Sequence, residues 1–173
     1  FNDLIGVPLV FIFFAVSLYW TLPYFIKSKE YRQLFYIGIG IKIIGVTVSF
    51  IFYNYIEKYA DTQTYFSFGK TISNIISDYP ISESGKVFYT DFDDLPMHMK
   101  SLFNPYFDQE VYRGNAVIIR IAGAVLFLTF NSYIACSLVF SFFGYIGCWL
   151  IFKTFSARYP QFKNYFYFYC SPP

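Results

Sequence analysis

The chain has 173 residues, of which 56% are hydrophobic and 25% aromatic, while only 14% are charged. A soluble domain carries about 25% charged residues, so this composition argues against a soluble globular domain and favours a membrane protein. The net charge is only +2, and no basic run interleaves with aromatic residues, which argues against a nucleic-acid partner.

Two apolar segments near the start of the chain are long enough to cross a bilayer, which takes about 20 helical residues. The first covers residues 4–24 and carries no charge, and the second covers residues 34–56. The connector between them, residues 26–33, holds three basic residues and one acid. We therefore predict two transmembrane helices joined by a basic turn.

The second apolar segment contains one charged residue, Lys42. We expect its side chain to extend toward the basic connector and reach the headgroups there. Gly38, Gly40 and Gly45 in the same segment would let a neighbouring helix approach closely. These glycines are interpreted as packing positions.

A polar insertion follows over residues 57–113, with nine acidic and five basic residues. The first connector and the segment around Lys153 are basic instead. Because basic connectors stay in the cytoplasm, we predict that the insertion is extracytoplasmic. An odd number of crossings must then separate Arg113 from Lys153.

The apolar stretch over residues 116–152 is long enough for two helices, which would give an even number of crossings. We expect residues 115–130 to form a helix along the outer leaflet, with Arg120 reaching the headgroups. Residues 132–152 then form the third span, and a fourth begins near Tyr165. Two tightly paired spans are the alternative.

Within the insertion, residues 62–79 show helical spacing of apolar side chains. The members of this apolar stripe are Tyr65, Phe68, Ile72, Ile75, Ile76 and Tyr79. Pro80 ends the pattern, and residues 97–103 form a second short apolar piece. Both are predicted to lie on the outer membrane face with the apolar side toward lipid, which leaves Ser73 toward solvent.

Asp61 follows the second span directly and precedes the amphipathic pattern. A helix N-cap is the favoured interpretation of an Asp at such a position. A catalytic carboxylate facing a lipid-borne substrate is the other. The two roles are compatible, since a carboxylate at a helix N-terminus stays ionised.

Two further groups of residues are candidate ligand sites. Asp91, Asp93 and Asp94 carry oxygen ligands for a divalent cation, although a solvated turn is the favoured interpretation because the EF-hand glycine and distal glutamate are missing. Arg113 and Arg120 lie seven residues apart, on one face of a continuous helix, where they would grip a lipid phosphate. Simple extension into the headgroups is the alternative for this pair.

The sequence as a whole predicts an all-α polytopic membrane protein with three to four transmembrane helices. Residues 1–56 hold the first two spans, residues 57–113 the acidic loop, and residues 114–173 the surface helix and the remaining spans. Because the chain begins at Phe1 and stops shortly after an aromatic run begins, we expect it to be part of a longer protein.

The second span, Asp61 and the amphipathic segment after it resemble the start of GT-C integral-membrane glycosyltransferases. Residues 158–173 are similar to the region where bacterial members begin their next membrane helix. The resemblance covers about residues 34–173. It implies transfer of a sugar from a polyprenyl-phosphate carrier to an acceptor at the extracytoplasmic side of the bacterial inner membrane.

By this resemblance Asp61 is the general base or helps to hold a divalent cation, and Arg113 or Arg120 neutralises the departing phosphate. Two alternatives stay open. One is a non-catalytic subunit whose acidic loop binds an envelope protein. The other is a polysaccharide polymerase or flippase-like protein that handles the same lipid-linked substrates.

Overall fold

The computed structural model describes residues 2–26, 28–55, 61–103 and 109–159, in which all regular structure is helical. The predicted all-α fold is therefore confirmed for this part of the chain. The basic residue Lys27 and the expected span from Tyr165 lie outside it. In chain order the helices are α1 (Asn2–Phe25), α2 (Lys29–Tyr55), α3 (Asp61–Asp78), α4 (Ile81–Ser84), α5 (Lys86–Tyr89), a 3₁₀ turn (Phe92–Asp94), α6 (Met97–Lys100), α7 (Gln109–Leu128) and α8 (Tyr133–Arg158).

Helices α1, α2 and α8 are long and apolar enough to cross a membrane. Large apolar side chains on their outer faces are well exposed, among them Ile12 at 65%, Ile44 at 64% and Phe143 at 64%. Such faces are compatible with lipid contact and with an integral membrane protein. The apolar part of α7, Gly114–Leu128, is shorter, in agreement with the expectation that this helix does not cross.

The three long helices pack with α8 in contact with both α1 and α2. Helix α1 runs in the same direction as α8, since Asp3 contacts Ser132 and Phe14 contacts Phe142. Helix α2 runs in the opposite direction, since Tyr31 lies against Trp149 and Phe50 lies near Tyr133. One end of the bundle therefore carries the start of α1, the end of α2 and the start of α8. We call it the loop face, and the opposite end, where α2 begins and α8 ends, the basic face.

A polar joint connects α1 to the start of α8 at the loop face. Ser132 Oγ accepts a hydrogen bond from Ala135 N at 3.1 Å as the N-cap of α8, and it donates one to Asp3 Oδ1 at 2.5 Å. Gly6 permits the approach, since a Cβ there would lie 2.6 Å from Thr129 O. The joint fixes α1 against the turn between α7 and α8.

The contact between α2 and α8 near the basic face depends on Gly38. Tyr145 packs over this glycine, where a Cβ would lie 2.6 Å from Tyr145 Cζ, and Tyr145 OH donates to Phe35 O at 2.9 Å. The predicted packing role is thus confirmed for Gly38. A Cβ on Gly40 or Gly45 would have no described atom within 4 Å, so these two glycines do not mark a contact among the described residues.

Helices α3 and α7 cross with their backbones close together at Gly69 and Gly123. A Cβ on Gly123 would lie 2.5 Å from Ile72 Cγ2, and one on Gly69 would lie 3.2 Å from Gly123 N. Small residues at a crossing allow this separation, which brings the side chains next to them into dense contact.

The apolar stripe on α3 faces protein instead of lipid, which corrects the sequence prediction. All six stripe residues belong to, or pack against, one core that α3, α7 and the segment 87–103 share. Ile72, Ile75, Val87, Met99 and Ile119 are fully buried in it. The expected apolar face of residues 97–103 is covered in the same way, because Met99 and Phe103 point into this core.

The opposite edge of α3 also differs from expectation. Ser73, which the stripe left toward solvent, is only 1% exposed, and its hydroxyl has no hydrogen-bond partner among the described atoms. Helix α3 is therefore covered over a wider arc than its apolar stripe, because the crossing at Gly69 brings α7 close to the adjoining positions.

The α3–α7 crossing can be tested with Gly123→Ala. The added methyl meets the branched side chain of buried Ile72, so we expect a loss of about 1–3 kcal/mol of stability. The matched control is Gly147→Ala in α8, where no described atom lies within 4 Å of the new methyl. Unfolding of the purified protein in detergent, followed by tryptophan fluorescence, measures both. Equal stability of the two variants would contradict the close crossing.

Candidate functional site

A cavity of about 640 Å³ lies where the long helices meet the α3–α7 pair. Helices α2 and α8 form its membrane-level walls, and α3 and α7 close it on the side of the loop face. Most of the lining is apolar or aromatic, with a few hydroxyl groups and one amine. The lining residues are Ile41, Lys42, Gly45, Val46, Ser49, Phe50, Tyr65, Phe66, Ile118, Ala122, Tyr133, Cys136, Ser137, Phe140 and Ser141.

Helices α2 and α8 approach each other near both ends of the bundle, and between these points Ile43 and Val46 of α2 pack against the cluster that contains Ala135 and Leu138 of α8. Near the basic face they meet where Tyr145 packs over Gly38, and near the loop face the rings of Phe50 and Tyr133 lie 6.0 Å apart. Phe66 of α3 makes an edge-on contact with Tyr133, with ring centroids 4.9 Å apart. Tyr133, at the start of α8, thus contacts both Phe50 of α2 and Phe66 of α3.

A second cavity of about 360 Å³ lies between α1, α2 and α8. Phe14 of α1 and Tyr145 of α8 are among the residues that line it. Lys42 and Ser141 line both cavities, so the boundary between the two spaces is polar.

Lys42 lies at the middle of the second candidate span and its side chain is exposed, so the expectation that it extends toward the basic connector stays a prediction. The apolar part of α2 runs from Tyr31 to Phe52, so Lys42 comes eleven residues after its start and ten before its end. At 1.5 Å per residue, each end is about 15 Å away, farther than a lysine side chain extends. Its side chain lines both cavities.

Asp61 is the first residue of α3, one residue before the predicted start of the helix at Thr62. It precedes Tyr65, which lines the larger cavity, by one helical turn. The side chain of Asp61 lies outside the described part of the structure, so the choice between N-cap and catalytic carboxylate stays a prediction.

The structure describes the side chain of only one of the two predicted phosphate-binding arginines, so their pairing stays a prediction. Helix α7 is kinked at Asn115, whose backbone angles are not helical, and this kink lies between Arg113 and Arg120. Arg120 Nη2 donates to Thr90 O at 2.7 Å, so Arg120 is bonded to the loop segment before the 3₁₀ turn. The side chain of Arg113 lies outside the described residues.

The three aspartates of the insertion are not gathered into a metal site. Asp93 and Asp94 belong to the exposed 3₁₀ turn, and Lys100 Nζ donates to the backbone carbonyl of Asp93. Within the described ranges, no group of three or more His, Cys, Asp or Glu residues is placed to hold a metal ion. The solvated-turn interpretation of Asp91 and its neighbours fits this geometry.

Sequence reasoning missed the hydroxyl groups that line the cavity from α8. Tyr133, Ser137 and Ser141 follow one another at four-residue spacing, which places them on one face of the helix. These polar residues on one face of an apolar span, together with Lys42 in another span, are the sequence pattern that could have indicated the cavity.

No protein-family model, no curated protein and no solved structure matches this chain. The resemblance to membrane glycosyltransferases is therefore carried by the residues and the layout described above.

The role of Arg120 as an internal fastener can be tested with Arg120→Met. A hydrogen bond from a charged donor contributes about 1.5–3 kcal/mol, so its loss should let the segment around Thr90 open more often. We expect amide hydrogen exchange in residues 86–95 to accelerate by about 10-fold or more. Arg158→Met, at an exposed position at the end of α8, is the control. If amide hydrogen exchange in residues 86–95 is unchanged in the Arg120 variant, the bond to Thr90 does not hold this segment, and contact with headgroups becomes the better interpretation of Arg120.

Proposed function

We propose that this chain is part of a membrane glycosyltransferase that takes a sugar from a polyprenyl-phosphate carrier. The observation that carries the proposal is the 640 Å³ cavity shared between two membrane helices and the insertion. Its apolar and aromatic walls suit the hydrocarbon chain of a lipid-linked substrate. Tyr65 and Phe66 of α3 bring the insertion to the same space, so a lipid in the cavity would contact both parts.

Asp61 is the proposed general base. It starts the helix that contributes Tyr65 to the cavity, and a carboxylate at a helix N-terminus remains ionised and able to accept a proton. The acceptor hydroxyl would lose its proton to Asp61 as its oxygen attacks the anomeric carbon, with inversion. The bond to the lipid phosphate breaks in the same step, and Arg113 is the proposed cation that stabilises the departing phosphate.

Replacing Asp61 separates the catalytic role from the capping role. Asn and Ser are both good N-caps, so Asp61→Asn and Asp61→Ser should fold normally, whereas both remove the base. We expect sugar transfer from membrane lipids to fall by roughly 100-fold or more at equal protein level. The measurement is transfer of radiolabelled sugar in membranes that contain the full protein, and Asp78→Asn at the exposed end of α3 is the matched control.

A binding measurement accompanies the transfer assay. A polyprenyl phosphate with a photoreactive group in its chain should cross-link to cavity residues in the wild type and in Asp61→Asn alike. If both Asp61 variants transfer sugar at a near-normal rate, Asp61 is not the general base and acts only as a helix cap. Failure of the probe to label the cavity would remove the lipid-linked substrate from the proposal.

We further propose that the loop face is extracytoplasmic, with the protein in the inner membrane of a bacterium. The antiparallel packing of α2 and α8 supports this orientation, because it brings Lys29 and Arg32 to the same end of the bundle as Lys153 and Arg158. Basic residues accumulate on the cytoplasmic side of membrane proteins. The acidic insertion then lies outside, where lipid-linked sugars are used.

The orientation is tested by cysteine labelling in a variant without the three native cysteines. Ser82 is exposed in α4 and Lys29 is exposed at the start of α2, whereas Ser84 is buried and unsuitable as a probe. A membrane-impermeant maleimide should label Ser82→Cys in intact cells and Lys29→Cys only after permeabilisation. The reverse pattern would invert the topology.

A further inference from the structure

No Asp or Glu is among the described residues that line the two cavities beside Lys42. The chain contains eleven acids, nine of which belong to the insertion, and the other two are Asp3 and Glu30. Asp3 lies at the loop face, where it is bonded to Ser132, and Glu30 lies in the first turn of α2, twelve residues before Lys42. A cation in the hydrocarbon region is costly unless an anion or water compensates it, and such residues commonly mark ligand sites.

The larger cavity connects Lys42 with the loop face through a series of hydroxyl groups. On α8 these are Tyr133, Ser137 and Ser141, one turn apart, and on α2 Ser49 lies two turns from Lys42. The remaining walls are mainly apolar. The space thus combines a polar strip, which ends at an amine, with surfaces suited to a hydrocarbon chain.

We propose that Lys42 binds the phosphate of a membrane lipid whose hydrocarbon chain occupies the larger cavity. Charge complementarity selects an anion, since a lysine ammonium group donates up to three hydrogen bonds to phosphate oxygens. The apolar walls at membrane depth select a lipid over a soluble anion. The inference deepens the proposed function, on which it rests for the polyprenyl identity of the lipid.

The serines of α8 assist the amine in this arrangement. Ser141 lines both cavities beside Lys42, and Ser137 lines the larger one a turn closer to the loop face. Their hydroxyls can donate to phosphate oxygens as the group moves inward from the headgroup level. Gly45 leaves space on the facing side of α2, where no described atom lies within 4 Å of a Cβ position.

The test compares two lipids of equal length, a polyprenyl phosphate and the uncharged polyprenol, binding to the full chain in nanodiscs of neutral lipid. Native mass spectrometry gives the affinity ratio. We expect the wild type to prefer the phosphate by at least 10-fold, and Lys42→Gln and Lys42→Met to lose that preference while still binding polyprenol. Lys42→Arg should keep most of it, and Lys70→Gln, at an exposed position on α3, should keep all of it.

The possible outcomes distinguish this inference from the proposed function. A preference for phosphate that survives in both Lys42→Gln and Lys42→Met overturns the role of Lys42 and leaves the glycosyltransferase proposal intact. Displacement of the lipid by millimolar inorganic phosphate overturns the choice of a lipid over a soluble anion. If neither lipid binds the wild type, both this inference and the polyprenyl substrate fail. Unchanged thermal stability of the Met variant, which keeps an unbranched chain at position 42, confirms that lost preference reflects lost charge.

Discussion

The close approach of α3 and α7 at Gly69 and Gly123 is the contact on which the rest of the insertion depends. Without side chains at these two positions, Ile72 reaches the α7 backbone and becomes fully buried. The pair then offers one apolar surface, and the segment from Val87 to Phe103 folds over it to complete a core. An amphipathic helix that would otherwise need a bilayer to cover its stripe is covered by protein.

The three long apolar helices also approach one another at glycines. Gly6 lets α1 approach the turn before α8, and Gly38 lets α2 approach Tyr145. Two cavities lie beside these contacts, the larger lined by α2, α8, α3 and α7 and the smaller by α1, α2 and α8. Lys42 lines both cavities, and this position is the basis of the lipid-phosphate site proposed above.

The turn between α7 and α8 links these two halves. Phe130 and Asn131 adopt left-handed backbone conformations, with φ of 55° and 59°, and Asn131 N bonds to Leu126 O at 2.8 Å to end α7. Asn131 also donates to Asn74 of α3 at 3.2 Å. The turn is thus bonded both to the end of α7 and to α3. These bonds fix α3 near the start of α8, where Tyr65 and Phe66 line the cavity.

The sequence by itself determined the all-α class, the three long apolar spans, the α3 helix to within one residue of its start and the apolar stripe on that helix. These follow from hydrophobic period, segment length and local capping chemistry, which act within about one turn of each residue. Only the tertiary structure decided that α7 covers the stripe, that Arg120 holds Thr90, and that Lys42 lies beside two cavities. Periodicity reveals which face of a helix is apolar, but the group that covers the face comes from residues far away in the chain, and their approach depends on packing that no local pattern encodes.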